Sequence, residues 1–310
     1  MARFNEALSS LIFKSAHHLR FKALFFTAIL MAVMQVPLSG DAYAEPENPK
    51  LANDRCLKCH GKENFSRPTA SGEERSLHVD AERFKGSVHG NRDCVNCHQD
   101  ITKVPHIKGV DRKVGCVKCH QDLWAEKQQG EESAEHARLG VVVEQIESYM
   151  GSIHARPSID DESRTNATCY NCHDAHYIKP IDTFSRDENK LKIPSICGKC
   201  HTSELDTYMT SVHGKEIGSG NTNAAVCSDC HTAHNIDTPN DVSGRLAITA
   251  QCGNCHEDKL DSYIETYHGK ITRLGYGETA KCYDCHGSHD IKRVSDPDSR
   301  MANGNRLQTC

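Results

Sequence analysis

Sixteen of the seventeen cysteines form eight copies of the pattern C-x-x-C-H, numbered here as motifs one to eight in chain order. Residues at positions i, i+3 and i+4 project from one side of a helical turn. Each copy therefore presents two thiols and one imidazole on the same face. The cysteine pairs are Cys56 and Cys59, Cys94 and Cys97, Cys116 and Cys119, Cys169 and Cys172, Cys197 and Cys200, Cys227 and Cys230, Cys252 and Cys255, and Cys282 and Cys285. The histidines are His60, His98, His120, His173, His201, His231, His256 and His286.

This combination of ligands indicates covalently attached haem. C-x-x-C-H is the attachment signature of c-type haem, in which the thiols form thioethers and the imidazole reaches the iron from the same side. Zinc sites and redox dithiols also use C-x-x-C pairs. Neither explains a histidine after every second cysteine, so the sequence predicts eight haem c groups.

The first 44 residues predict export. A basic start is followed by an apolar run from Ala23 to Met34 and by a small-residue site, Ala42 to Ala44. This order is typical of a secretory signal peptide, here cleaved after Ala44. The apolar run is shorter than the roughly 20 residues of a membrane-spanning helix, which disfavours an uncleaved anchor. We expect a periplasmic protein, with the cell surface as the alternative location.

Enough histidines remain to give every iron a second axial ligand. Ten lie outside the motifs and the predicted signal peptide. Four have an aromatic residue five positions upstream and a small residue directly downstream; they are His89, His154, His213 and His268. A second set follows the even-numbered motifs as C-H-x-x-H, with one more distant equivalent; it is His176, His234, His289 and His106. His78 and His136 are left as spares, and eight bis-histidine irons are predicted.

The second set should bind neighbouring haems. His231 and His234 are three residues apart, which on a helix separates their Cβ atoms by only about 5–6 Å on one face. Two such histidines cannot lie on opposite sides of one porphyrin. We therefore expect His234 to ligate a haem other than the one held by His231.

An internal repeat organises the chain. Cys197 and Cys252, His213 and His268, and Cys227 and Cys282 are each separated by 55 residues. Repeats of this length indicate a recurring structural unit, here a two-haem module. The predicted organisation is a signal peptide (1–44) and four modules (45–115, 116–196, 197–251 and 252–309). In the first two modules the motifs start 38 and 53 residues apart instead of 30.

The seventeenth cysteine, Cys310, lies 58 residues beyond Cys252, where a fifth module would begin. We expect it to be the first residue of a truncated ninth haem motif, so that the chain is a fragment. A free thiol and an intermolecular disulfide are the competing interpretations.

Composition agrees with a haem-filled interior. Hydrophobic residues make up 37% of the chain and aromatic residues 6%, which is little for a core of this size. Away from the motifs, residues 130–149 predict a helix, whereas residues 178–195 and 236–250 favour turns and loops. For the aromatic residues upstream of the first histidine set, helix packing and haem stacking both remain open.

On the eight motifs, the "SVHG"-type histidines and the C-H-x-x-H steps, residues 50–310 resemble the multihaem c-type cytochromes of anaerobic and metal-reducing bacteria. The resemblance implies a mostly α fold with long irregular loops and a core formed largely by haems. It also implies electron transfer in anaerobic respiration. The expected partners are a membrane quinol-oxidising cytochrome as donor and a terminal reductase or outer-membrane conduit as acceptor.

Two function classes compete. A relay needs only bis-histidine haems, whereas a reductase of nitrite, hydroxylamine or tetrathionate needs an iron with an open or unusual ligand position. Every motif here ends in histidine and second ligands suffice, so we favour an electron carrier without catalytic residues. A haem scaffold that polymerises into a filament is a third class.

Charge bears on the partners. The formal net charge of −5 becomes about −7 once the four basic and two acidic residues of the signal are removed, which disfavours nucleic-acid binding. Membrane association through a missing C-terminal part is left open.

Overall fold

Short helices separated by turns and long loops dominate the protein. The computed structural model describes residues 51–69, 71–106, 115–128, 133–163, 165–180 and 185–310. The predicted signal peptide and its cleavage site lie outside the described residues. In chain order the elements are α1 (Asn53–His60), β1 (Ser66–Pro68), β2 (Glu74–Ser76), α2 (Ala81–Lys85), α3 (Cys94–Cys97), α4 (Cys116–Lys127), α5 (Ala134–Gly151), a 3-10 turn (Ile153–Ala155), α6 (Cys169–Cys172), α7 (Arg186–Cys197), α8 (Thr202–Thr210), α9 (Val212–Gly218), α10 (Cys227–His231), α11 (Val242–Gly253), α12 (Glu257–Ile264), α13 (Tyr267–Arg273), α14 (Cys282–His286) and α15 (Arg306–Thr309).

Each even-numbered motif forms a very short helix with its own cap. The residue before the second cysteine is Asn or Asp, and its side chain accepts a hydrogen bond from the backbone N–H of the residue before the first cysteine. This bond satisfies a donor that the helix end would otherwise leave free. The bonds are Asp93 to Asn96 (2.9 Å), Thr168 to Asn171 (2.7 Å), Val226 to Asp229 (2.9 Å) and Lys281 to Asp284 (2.7 Å).

The odd-numbered motifs use longer helices. The first motif closes α1 and the third opens α4. The fifth and seventh lie where α7 and α11 end, and there the helical turn continues through the motif. His201 N–H donates to Cys197 O at 3.0 Å, and His256 N–H donates to Cys252 O at 2.9 Å. All four odd motifs thus keep a helical turn that places the thiols and the imidazole on one side.

The long helix predicted over 130–149 is confirmed in the described residues, where α5 spans Ala134–Gly151. The loops predicted over 178–195 and 236–250 are wrong in their second halves, which form α7 and α11. Each helix begins at a residue whose side chain caps it. The turn-forming residues in these stretches favour a loop prediction. Ser185 accepts from Glu188 N–H at 3.3 Å, and Asp241 accepts from Gly244 N–H at 2.8 Å.

The buried apolar core is thin among the described residues. Its largest cluster consists of Ile217, Ala224 and Val226, with Ile193 packed against it. Elsewhere α4 and α5 form a hairpin in which Trp124 lies against Gly140. Across the part of the chain that the structure describes, no helix is both long and apolar enough to cross a membrane.

One hydrogen bond recurs three times across the boundaries between predicted modules. The residue before a first-set histidine donates its backbone N–H to an isoleucine carbonyl of the following module. The bonds are Val88 to Ile178 (2.9 Å), Ile153 to Ile236 (2.9 Å) and Val212 to Ile291 (2.8 Å). Each of these isoleucines lies two residues beyond a second-set histidine, so the bond joins the segments that carry the two histidine sets.

Candidate haem sites

Fourteen of the sixteen histidines assigned as axial ligands stand in facing pairs. Each pair joins one motif histidine to one histidine of the two additional sets, with ring centroids 6.0–6.2 Å apart. The pairs are His60 with His106, His98 with His176, His120 with His89, His173 with His234, His201 with His154, His231 with His289, and His256 with His213.

This spacing fits one metal ion between each pair of rings. Two imidazole nitrogens at about 2.0 Å from a metal, with each ring centroid roughly 1.1 Å behind its nitrogen, put the centroids about 6.2 Å apart. Aromatic pairs that pack directly have centroids anywhere from roughly 4.5 to 7 Å apart, so it is the near-constant 6.0–6.2 Å of all seven pairs that points to a metal ion. Because two cysteines adjoin one histidine of every pair, the residues present fit a haem c with two axial imidazoles.

The pairing follows a rule. A histidine of the first set faces the odd-numbered motif of the next predicted module, as His213 faces His256. A C-H-x-x-H histidine faces the even-numbered motif of the preceding module, as His289 faces His231. His106 departs from this rule, since it faces His60 within its own module. Neighbouring modules therefore exchange histidines in both directions.

His231 and His234 face different histidines, but not for the reason predicted from their spacing. Helix α10 ends at His231 and Thr232 has a φ of 62°, so the two histidines do not share one helical face. His234 lies 6.0 Å from His173 of the preceding module, whereas His231 lies 6.1 Å from His289 of the following one. The structure brings neither of them to the other's site.

Two assigned histidines have no facing imidazole within the described residues. The ring of His268 lies nearest the neighbouring Tyr267 ring, at 6.0 Å. His286 of the eighth motif has no ring partner in that part of the chain. Of the two spares, His136 packs against Trp124 with ring centroids 4.6 Å apart, which accounts for it as a packing residue. His78 lies outside every histidine pair among the described residues.

Burial favours the neutral form of several paired histidines. It lowers the pKa of His98, His173 and His231 below the ordinary value, and a nearby histidine adds to this effect at His98 and His231. Neutral imidazole is the form that binds a metal ion, so the surroundings suit ligation near neutral pH.

The first cysteines of the two motifs in each predicted module are neighbours. They interact as Cys56 with Cys94, Cys116 with Cys169, Cys197 with Cys227 and Cys252 with Cys282. Hydrogen bonding between such thiols raises the pKa of one and lowers that of the other, as at Cys197 and Cys227. The attachment points of two successive motifs therefore lie side by side.

The second cysteines of the even motifs approach the next motif along the chain. Burial raises the pKa of each, and a cysteine further along the chain adds to the rise. The cysteines that interact electrostatically in this way are Cys97 with Cys119, Cys172 with Cys197, Cys230 with Cys255 and Cys285 with Cys310. Successive motifs therefore lie near one another, and Cys310 lies near the second cysteine of the eighth motif.

Three of the four aromatic residues upstream of the first histidine set are tyrosines that donate hydrogen bonds. A tyrosine hydroxyl donates to the carbonyl two residues before the first cysteine of the even motif. The bonds are Tyr149 to Ala167 (2.6 Å), Tyr208 to Ala225 (2.8 Å) and Tyr263 to Ala280 (2.8 Å). Each ties the segment before a first-set histidine to the following haem motif, a role that sequence reasoning missed because the acceptor is a backbone atom.

In the first predicted module an asparagine, and not a tyrosine, donates to the equivalent carbonyl. Phe84 has no hydroxyl, and the equivalent carbonyl, that of Arg92, accepts from Asn53 Nδ2 at 3.0 Å. Asn53 Oδ1 also accepts from Cys94 N–H at 2.7 Å. The even motif is therefore held to the odd-motif helix α1 by an amide side chain instead of a tyrosine.

Three paired histidines have an identified acceptor at Nδ1. His60 Nδ1 lies 2.8 Å from Leu77 O, and His89 Nδ1 lies 3.3 Å from Ala175 O. His234 Nδ1 lies 2.8 Å from the side-chain oxygen of Gln145. Since a ligating histidine usually donates its other ring N–H, these are the contacts expected behind metal-bound imidazoles.

Comparison with known proteins gives one curated relative. The chain is 25% identical over 260 residues to the multiheme cytochrome MtrA of Shewanella baltica (strain OS185), an alignment that covers 76% of this chain and 68% of that protein. No family model matches the chain, and no solved structure matches it either. The similarity and the paired cysteines support a multihaem c-type cytochrome.

Proposed function

We propose that this protein is an exported electron-transfer cytochrome of anaerobic respiration that relays electrons along a row of bis-histidine haems. The observation that carries the proposal is the set of seven facing histidine pairs, each at the separation of two imidazoles on one metal ion. The relation to a multiheme cytochrome supports the same class of activity.

Each haem would be held by the two cysteines of one motif, the motif histidine and the facing histidine. The bound haem supplies the redox centre, while the protein sets its ligands and surroundings. Adjacent attachment cysteines within and between modules support a single row in sequence order. Because ligands are exchanged between modules, the chain would hold neighbouring haems at fixed separations and fill its thin core with them.

The relay is favoured over a reductase by ligand supply. Seven motif histidines face a second imidazole, which leaves no open position at those sites. Neither His286 of the eighth motif nor His268 has a facing imidazole within the described residues, so ligand supply favours the relay on the strength of the other seven sites.

Haem content tests the proposal. Pyridine haemochrome analysis and intact mass of residues 45–310 should give eight covalent haems, and electron paramagnetic resonance should show low-spin ferric signals from the seven paired sites. Five or fewer haems on matured protein would refute it. A high-spin signal with rapid reduction of nitrite, hydroxylamine or tetrathionate would favour the reductase instead.

The partners are proposed on charge and location. An acidic, exported cytochrome would dock onto basic patches on the surfaces of its redox partners. The proposed donor is a quinol-oxidising cytochrome, and the proposed acceptor is a terminal reductase or an outer-membrane conduit. Electron transfer between purified partners should slow as salt rises; rates that are independent of salt would contradict electrostatic docking.

A further inference from the structure

The side chain of Gln145 makes a contact that the proposed relay does not by itself require. Gln145 lies on α5, and its Oε1 is 2.8 Å from Nδ1 of His234, which is 89 residues later in the chain. The acceptors at His60 and His89 are backbone carbonyls. At His234 the acceptor is a side chain, so a point mutation can remove it.

The segment that carries His234 is also held to the residues that follow α5. Ile153 N–H donates to Ile236 O at 2.9 Å, and Arg156 lies 3.9 Å from Asp237 in an ion pair. His234 also keeps its place opposite His173. Removing the Gln145 amide should therefore leave the histidine where it is.

The chemistry of the contact points to control of redox potential. An imidazole that binds iron through Nε2 carries its proton on Nδ1 and donates it to the amide oxygen. Donation increases the electron density on the ring and strengthens it as a ligand, which stabilises ferric over ferrous iron. The acceptor should therefore make this haem harder to reduce.

We infer that Gln145 lowers the reduction potential of the haem attached to Cys169 and Cys172 by accepting a hydrogen bond from its axial ligand His234. The inference rests on the proposed function, since it requires that haem to be present. Gln145 is a positioning and tuning residue that acts through His234 and does not touch the iron.

Two substitutions with opposite expected signs test the inference. Gln145→Leu keeps similar volume and removes the acceptor, so the reduction equilibrium constant of one haem should rise about threefold to tenfold, where tenfold corresponds to 59 mV for one electron. Gln145→Glu supplies a stronger acceptor and should lower the same constant. Met150→Glu is the charge control, because it adds a carboxylate on α5 about 140° around the helix axis from position 145.

The measurement is a spectroelectrochemical titration of the full chain. The haem whose potential shifts is identified with His234→Ala, since that variant should convert the same haem from low-spin to high-spin. Full haem content and low-spin spectra in the Gln145 variants would show that the sites are intact. Unchanged potentials in Gln145→Leu, or equal shifts in Gln145→Glu and Met150→Glu, would overturn the inference and leave the relay standing. Absence of haem from the wild-type protein would instead refute the proposed function.

Discussion

Replacing Tyr208 with phenylalanine removes one hydroxyl and leaves the aromatic ring in place. The hydroxyl donates to Ala225 O at 2.8 Å, and the tyrosine is only 9% exposed. The bond is part-buried, and losing a typical intramolecular hydrogen bond costs about 0.5–1.5 kcal/mol. For a domain of 150–250 residues, a loss of about 1 kcal/mol should lower Tm by about 2–4 °C.

Calorimetry of the haem-loaded protein is the assay, with Tyr267→Phe as the matched control. Tyr267 is 76% exposed, so its hydroxyl remains solvated and the substitution should change Tm by less than about 1 °C. Equal Tm values for the two variants would show that the Tyr208 bond does not hold the sixth motif in place and would refute the reasoning.

Stability at alkaline pH distinguishes the contribution of the Tyr208 hydroxyl from that of its ring. Burial raises the pKa of Tyr208. The folded state therefore keeps the proton after the unfolded chain has lost it, so this contribution to stability is full below about pH 10 and falls as pH rises further. The wild-type protein should lose more stability above pH 10 than Tyr208→Phe does; parallel pH profiles would contradict the assignment.

Two further substitutions test other parts of the structure. His234→Ala should make the haem on the fourth motif high-spin and leave the sixth-motif haem with both ligands, as seen by electron paramagnetic resonance; loss of the sixth-motif signal would contradict the pairing. Gly214→Ala should destabilise by about 1–3 kcal/mol in denaturant titrations, because its Cβ would lie 2.1 Å from Tyr208 O. Gly218→Ala, whose Cβ would lie 3.6 Å from Met209 Cε, is the control and should be neutral or stabilising.

Local spacing determines much of the candidate site. The i, i+3, i+4 geometry of a helical turn makes every C-x-x-C-H copy a haem attachment site in principle, wherever it lies in the fold. The Asn or Asp before the second cysteine of the even motifs is equally local, since it caps its own helix. The separation of His231 from His234 by three residues was not decisive in this way, because α10 ends at His231 and the two side chains do not share a helical face.

Only the tertiary structure decided which histidine faces which motif. The distance between His213 and His256, or between His106 and His60, depends on how whole segments pack, and no short-range pattern encodes it. For the same reason the tyrosine hydroxyls, the Asn53 amide and the Gln145 contact could not be predicted. Their partners are backbone atoms or side chains brought near by packing, and a backbone carbonyl leaves no mark on the sequence because every residue has one.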